Sequence, residues 1–184
     1  DPDSPELGAL QGMVALRRGD ADRALAVLSA TAAQLPNDPR VLYALGFAYL
    51  GKDMLAFAEQ AFRRVLELSP DNHSLRGLLV QLALRQGHLD RAAEVMREVL
   101  ATPQGNTAGM RRLAAELELA SGQPQQALDY LHPLLAELPG ARAVLQMMLV
   151  AWQRLGRDEE ARTTLEAVLQ EHTQLHDLWL GVLL

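Results

Sequence analysis

The side chains that could perform chemistry in this sequence are few and widely spaced. Among five histidines, His172 and His176 lie four residues apart, the spacing that puts two imidazole ligands on one face of a helix. The pair straddles a predicted break near Thr173, so exposed histidines are favoured over a metal site. The chain has no Cys, which excludes a thiolate nucleophile and cysteine-ligated zinc. We therefore predict neither a metal nor a cofactor.

The acidic side chains also have a simpler explanation than catalysis. Glu159 and Glu160 suit the start of a helix, where the dipole favours negative charge, and Glu116 and Glu118 suit an exposed helix face. No phosphate-binding loop, nucleophile elbow or zinc-protease motif occurs. We predict that the protein is not an enzyme. A net charge of −6 disfavours nucleic-acid binding, and no apolar run approaches the roughly 20 residues of a membrane span.

The sequence repeats at intervals of 34 or 35 residues. A turn position recurs at Gly19, Asp53, Gly87, Gly122 and Gly156, where positive φ would end one helix before the next begins. Five residues later comes an alanine, at Ala24, Ala58, Ala92, Ala127 and Ala161. Four residues further comes a large apolar residue, at Leu28, Phe62, Met96, Leu131 and Leu165. These three columns predict pairs of amphipathic helices that pack closely at the alanine.

This pattern resembles the tetratricopeptide repeat, a helix–turn–helix unit of 34 residues. The stretch from Pro39 to Asn72 matches best, through Leu42, Leu45, Gly46, Tyr49, Ala58, Phe62 and Pro70. The resemblance implies an all-α fold, a right-handed α-solenoid of antiparallel helix pairs. It predicts one domain over residues 1–184, with repeats at about 5–38, 39–72, 73–106, 107–141 and 142–175 and a partial sixth helix over 176–184.

Three departures from the repeat are expected to have structural consequences. The extra residue is placed in the seam at 102–107, where Asn106 or Thr107 would cap the next helix, rather than in the Ser121–Gly122 turn. Pro133 inside a second helix predicts a kink. The small residue at Gly46 becomes Val80, Ala115 and Leu149 in later repeats, so those helix pairs should open slightly or repack.

By the family resemblance, first helices line a concave surface that binds a peptide or helix of a partner protein. The candidate partner-binding residues are Met13, Leu16, Arg40, Tyr43, Phe47, Leu50, Gln81, Arg85, Arg112, Glu116, Gln146 and Arg154. The first half of this set is apolar and aromatic, and the second is polar with several arginines, which suits a ligand with an apolar part and an acidic part. Tyr43 and Phe47 could equally pack as core between repeats. Because Ala9, Met13, Tyr43 and Phe47 stand where some relatives place Lys and Asn, we do not expect a carboxylate clamp for chaperone tails.

The main functional prediction is a protein-interaction scaffold. The chain begins at Asp1 without Met and stops at Leu184 within an apolar helical pattern, so a fragment of a longer protein is expected. The alternative is therefore a recruiting arm of a larger bacterial enzyme or exopolysaccharide export protein. A third possibility is a homodimer through the apolar C-terminal residues Trp179, Leu180, Leu183 and Leu184. The compartment, cytoplasm or periplasm, is left open.

Overall fold

The structure, a computed structural model, describes residues 4–138 and 141–171. All the regular elements in these residues are α-helices: α1 Pro5–Arg17, α2 Ala21–Gln34, α3 Pro39–Gly51, α4 Leu55–Leu68, α5 His73–Arg85, α6 Leu89–Leu100, α7 Ala108–Ala120, α8 Pro124–Glu137, α9 Arg142–Leu155 and α10 Asp158–Glu171. The chain divides into two compact units, Asp1–Leu82 and Ala83–Leu184, with the boundary inside α5. The predicted all-α fold class of paired helices is confirmed.

The turn within each helix pair has the backbone conformation that the sequence predicts. Four of these turns use glycine in the left-handed region, with φ of 75° at Gly19, 74° at Gly87 and Gly122, and 66° at Gly156. Asp53 takes the same role with φ of 55°, the only positive φ at a non-glycine residue in the part of the chain described. Such short turns make the two helices of a pair antiparallel neighbours.

The two buried columns explain why the helix pairs pack closely. The alanine column is buried throughout, from 0% exposed at Ala24 to 8% at Ala161. The large apolar column is buried as well, with Leu28, Phe62 and Leu131 fully inaccessible. In the first unit these residues divide into two core clusters, one around Ala24 and Leu28 and one around Phe62. In the second unit Leu131 belongs to a larger cluster with the fully buried Trp152.

Side-chain caps define several helix starts. Ser4 accepts a hydrogen bond from the Leu7 amide, and Asp20 accepts one from Arg23. Thr107 caps α7 by accepting from the Met110 amide at 3.3 Å. Because α5 begins at His73 and α7 at Ala108, the extra residue is already present before α7. The extra residue thus comes before α7, as predicted, and not in the Ser121–Gly122 turn; of the two predicted caps, Asn106 and Thr107, the cap is Thr107.

Other sequence predictions have different outcomes. Helix α8 continues through Pro133 to Glu137, and a kink there stays a prediction. Val80 and Ala115, which replace the small residue at Gly46, are both completely buried. The partial sixth helix at 176–184, the His172–His176 pair and the apolar residues Trp179, Leu180, Leu183 and Leu184 lie outside the described residues. Within the described ranges, no helix combines the length and apolar character needed to cross a bilayer.

Candidate functional site

The first unit contains an open cleft of about 560 Å³ beside the exposed face of α3. Residues of α1, α3 and α4, together with the loop that follows α4, form its walls. We call it the Tyr43 cleft and define it by Met13, Leu16, Arg17, Pro39, Arg40, Tyr43, Ala44, Phe47, Val65, Ser69 and Asn72. Five of the predicted partner-binding residues, Met13, Leu16, Arg40, Tyr43 and Phe47, thus line one cavity.

The aromatic residues of the cleft form an edge-to-face cluster with the core. The rings of Tyr43 and Phe47 lie 5.0 Å apart between centroids, and each meets the Phe62 ring, at 5.8 Å and 5.3 Å. Phe62 is completely buried, whereas Tyr43 is 42% exposed and Phe47 36% exposed. The core alternative considered for Tyr43 and Phe47 is therefore partly realised, because one side of each ring packs on Phe62. Contact of the exposed side with a partner stays a prediction.

A glycine behind the aromatic cluster makes room for it. A Cβ atom on Gly46 would lie 2.4 Å from a ring carbon of Phe62, far inside ordinary contact distance. The Phe62 ring therefore occupies the space that the side chain of any other residue type at position 46 would fill. Since Phe62 in turn supports Tyr43 and Phe47, the floor of the cleft depends on the absence of a side chain at Gly46.

Charged groups at the edge of the Tyr43 cleft are partly neutralised. Arg17 and Arg40 both line the cavity. The Arg40 guanidinium donates to Asp38 at 2.7 Å, and Asp38 also accepts from the Arg40 amide at 2.8 Å as the cap of α3. Chiefly because of the side-chain hydrogen bond from Arg40, the pKa of Asp38 is lowered to about 2. The cleft is therefore mainly apolar, with Arg17 and the Arg40–Asp38 pair at its margin.

The other predicted residues of the first unit and of α5 are not cleft residues. Leu50 is half-buried and packs against the core cluster around Phe62. Gln81 lies exposed on α5 within the first unit, and Arg85 lies exposed at the end of that helix. None of the three is among the residues that form the walls of the Tyr43 cleft.

In the second unit, the predicted arginines interact with neighbouring groups of the protein. Arg112 lies 3.8 Å from the carboxylate of Glu116, itself a predicted site residue one turn away. Arg154 donates to the Leu119 carbonyl at 2.5 Å. Gln146 is exposed on α9. The Glu116 carboxylate offsets part of the positive charge of Arg112, whereas the Leu119 carbonyl occupies a donor of Arg154 without changing its charge.

The second wall of the Tyr43 cleft was missed by the sequence reasoning. Val65, Ser69 and Asn72 come from α4 and the loop after it. Pro39 and Ala44, which were also not predicted, belong to α3 itself. The family resemblance points only to first-helix positions, so it gave no reason to select residues of α4. The one signal was the position of Ser69 and Asn72 in the inter-repeat loop, which brings them next to the following helix.

Potential metal ligands do not cluster in the described residues. In those ranges there is no group of three His, Cys, Asp or Glu residues that could hold a metal ion. In the second unit, burial raises the pKa of Glu118, and burial together with the negative charges of Glu118 and Asp129 raises that of Tyr130. Both shifts are consequences of packing and indicate no reaction.

Comparison with known proteins decides the family. Sequence models of the tetratricopeptide repeat match residues 49–117 and 118–181, and another model of the same repeat matches residues 10–73. The chain belongs to the tetratricopeptide repeat family. Proteins of this family are generally non-catalytic scaffolds that bind other proteins. In this general sense, with no partner specified, the chain is a protein-interaction scaffold.

The individual relatives are either distant or much longer than this chain. Cellulose synthase operon protein C of Xanthomonas axonopodis pv. citri is 27% identical over 169 residues, which are 88% of this chain but 11% of that protein. Protein POLLENLESS 3-LIKE 2 of Arabidopsis thaliana is 40% identical over 60 residues, 33% of this chain and 14% of that protein. The matched residues thus make up only 11% and 14% of the length of these two relatives.

Solved structures share the fold. MamA from Desulfovibrio magneticus RS-1 superposes with a TM-score of 0.80 at 22% identity, covering 94% of this chain and 97% of the other. A tetratricopeptide repeat protein from Parabacteroides merdae gives a TM-score of 0.75 at 15% identity, covering 95% and 66%. At these identities the likeness concerns the fold alone.

Proposed function

We propose that the protein binds a segment of a partner polypeptide in the Tyr43 cleft. The observation that carries this proposal is the pair of incompletely buried aromatic rings, Tyr43 and Phe47, in the wall of a cavity of about 560 Å³. Partly exposed aromatic residues in a concave surface are frequent energetic centres of protein interfaces, because they offer large contact areas with few rotatable bonds. Their edge contacts with Phe62 hold both rings in place before a ligand arrives.

The composition of the cleft specifies the kind of segment. Met13, Leu16 and the two aromatic rings provide an apolar wall that fits a large apolar side chain. Arg17 and the Arg40–Asp38 pair at the margin would favour a carboxylate next to that side chain. The ligand we propose is therefore a peptide or helix in which a Leu, Phe or Trp is flanked by Glu or Asp. The predicted contributions of Gln81, Arg85, Arg112, Glu116, Gln146 and Arg154 stay predictions that need their own tests.

A peptide-binding experiment tests this proposal. Fluorescein-labelled peptides with a central Leu or Trp, flanked either by Glu or by Lys, would be titrated with the protein and followed by fluorescence anisotropy. We expect the Glu-flanked peptides to bind more tightly. The double substitution Tyr43→Ala and Phe47→Ala should weaken their binding by about tenfold or more, the range seen when interface aromatic residues are truncated.

Phe57→Ala is the matched control. Phe57 is 51% exposed and stacks on Tyr49, but it does not line the cleft. Its removal should leave peptide binding unchanged. Circular dichroism and thermal unfolding would show that the double variant is folded. Undiminished binding by the folded double variant, or equal losses in that variant and in Phe57→Ala, would contradict the proposal.

The second candidate function is a recruiting arm within a larger bacterial protein of an exopolysaccharide system. The supporting observation is the similarity to cellulose synthase operon protein C over 88% of this chain, which is only 11% of that protein. Sequencing the gene on both sides of the segment tests this candidate. An open reading frame encoding little more than these 184 residues would refute it.

A further inference from the structure

Helix α1 presents an apolar face that its own unit leaves uncovered. Leu7, Leu10 and Val14 are 36%, 61% and 45% exposed. They lie three and four residues apart and therefore share one face of the helix. With Gln11, Ala15, Arg18, Asp20 and Arg23 they form a depression of about 480 Å³, separate in its lining from the Tyr43 cleft. We call this surface the α1 face.

The corresponding face of α3 is buried. The residues 34 positions after Leu7, Leu10 and Val14 are Val41, Ala44 and Ala48, which are 1%, 5% and 0% exposed. Ala44 and Ala48 belong to a core cluster with Ala15, Ala24 and Leu28 of the preceding helix pair. The residues equivalent to Val14 in the third, fourth and fifth repeats are Leu82, Leu117 and Ala151, each at most 2% exposed. In this fold these positions are thus buried where one repeat packs on another, whereas Val14 is exposed.

The sequence before α1 has the same proline spacing as the link between α2 and α3. Pro2 and Pro5 stand 34 residues before Pro36 and Pro39. Residues 35–38 form the link between α2 and α3, and Pro39 is the first residue of α3. Residues 1–5 therefore match residues 35–39 in the spacing of their prolines, and residues 35–39 follow the second helix of a pair.

We propose that the α1 face is a packing surface between repeats, here called the seam. In the functional protein a further tetratricopeptide-type helix pair of the same polypeptide covers it. The exposed apolar column and the repeated proline spacing both support this occupant. The covering pair would place small and aliphatic residues of its second helix over Leu10 and Val14, as Ala24 and Leu28 do for Ala44 and Ala48. A terminal repeat with an apolar outer face lowers solubility, and a covering helix pair would remove that apolar face from water. The much greater length of the Xanthomonas relative is consistent with it.

Hydrogen exchange measured by mass spectrometry tests the seam. The 184-residue chain would be compared with the polypeptide that its gene encodes, in wild-type form and with Leu10→Asp. We expect the α1 amides to exchange about tenfold more slowly in the longer polypeptide, because a covered helix opens less often. Leu10→Asp should cancel that difference. Val150→Ser is a control, since Val150 is 39% exposed on α9 and should leave exchange in α1 unchanged.

Three results would overturn the proposal. The first is equal exchange in α1 of the long and short polypeptides, and the second is a reading frame that starts within a few codons of Asp1. The third is a concentration-dependent dimer of the 184-residue chain, seen by sedimentation, that Leu10→Asp converts to monomer, because a second copy would then occupy the α1 face. None of these results bears on the Tyr43 cleft, so failure here is distinguishable from failure of the proposed peptide binding.

Discussion

Replacing Gly46 by Ala tests whether the glycine in α3 is required by the ring behind it. The new Cβ atom would lie 2.4, 2.7 and 2.8 Å from three carbons of the Phe62 ring. Ordinary carbon contacts are about 3.5–4.0 Å, so the ring would have to move by about 1 Å. Phe62 is fully buried and also meets Tyr43 and Phe47, which leaves it little freedom to do so.

Two effects of opposite sign determine the result of Gly46→Ala. Overpacking a core of this kind costs about 1–3 kcal/mol. Replacing Gly by Ala in a helix interior returns about 0.8–1 kcal/mol. We therefore expect the free energy of unfolding to fall by about 1 kcal/mol, within a range of roughly 0–2 kcal/mol. Urea unfolding followed by circular dichroism measures the change.

Gly109→Ala is the matched control for the helix-propensity effect. Gly109 also lies in a first helix, but the nearest atom to an added Cβ would be the Thr107 hydroxyl oxygen at 3.9 Å. This substitution should raise the free energy of unfolding by up to about 1 kcal/mol. If Gly46→Ala stabilised the protein as much as Gly109→Ala, the steric argument would be wrong.

A second substitution distinguishes the Phe62 contact from a general disturbance of α3. The fourth repeat has Ala115 and Leu131 where the second has Gly46 and Phe62. Phe62→Leu should therefore accommodate the alanine of Gly46→Ala, and the double variant should be more stable than the sum of the single changes by about 0.5–2 kcal/mol. Additive effects would show that Gly46 and Phe62 do not determine each other.

Three further predictions concern single local features. Thr107→Ala should lower the free energy of unfolding by about 1 kcal/mol through loss of the α7 cap, and Thr107→Ser should restore most of it, as thermal unfolding would show. Gly87→Ala should cost about 1–2 kcal/mol in urea unfolding, because φ is 74° there although an added Cβ meets nothing within 4 Å. The pKa of Asp38 is lowered from 3.8 to about 2, so its contribution to stability is complete above about pH 4 and is lost as the pH falls through 2. Asp38→Asn should remove that dependence between pH 4 and 2, and NMR titration of the Asp38 carboxyl group checks the pKa directly.

The framework of the fold was predictable because each repeat imposes the same local requirement. A positive φ at the turn selects Gly19 and its equivalents, and a close helix crossing selects Ala24 and its equivalents, so both columns are visible in the sequence. The cap at Thr107 was predictable for the same local reason. These features depend on residues within one helix pair and need no knowledge of distant contacts.

The candidate site was only partly predictable because it depends on contacts between distant residues. Val65 and Asn72 reach the Tyr43 cleft through the packing of one helix on another, and no first-helix pattern records that. The interaction of Arg154 with the Leu119 carbonyl joins residues 35 apart in sequence. Residue types at repeat positions therefore indicated which helix faces form the candidate surface. The partners of its charged side chains could be identified only from the three-dimensional structure.

The pairing of charges favours the apolar cleft as the main source of affinity in the proposed peptide binding. Arg40 is held by Asp38, and in the second unit Arg112 has Glu116 beside it. Such exposed pairs add little free energy by themselves, but they reduce the field that an approaching carboxylate experiences. Tyr43 and Phe47 have no such competitor, because their edge contacts with Phe62 leave the outward part of each ring exposed. Charge should therefore set partner preference and association rate, while burial of the two rings should determine how long a bound segment stays.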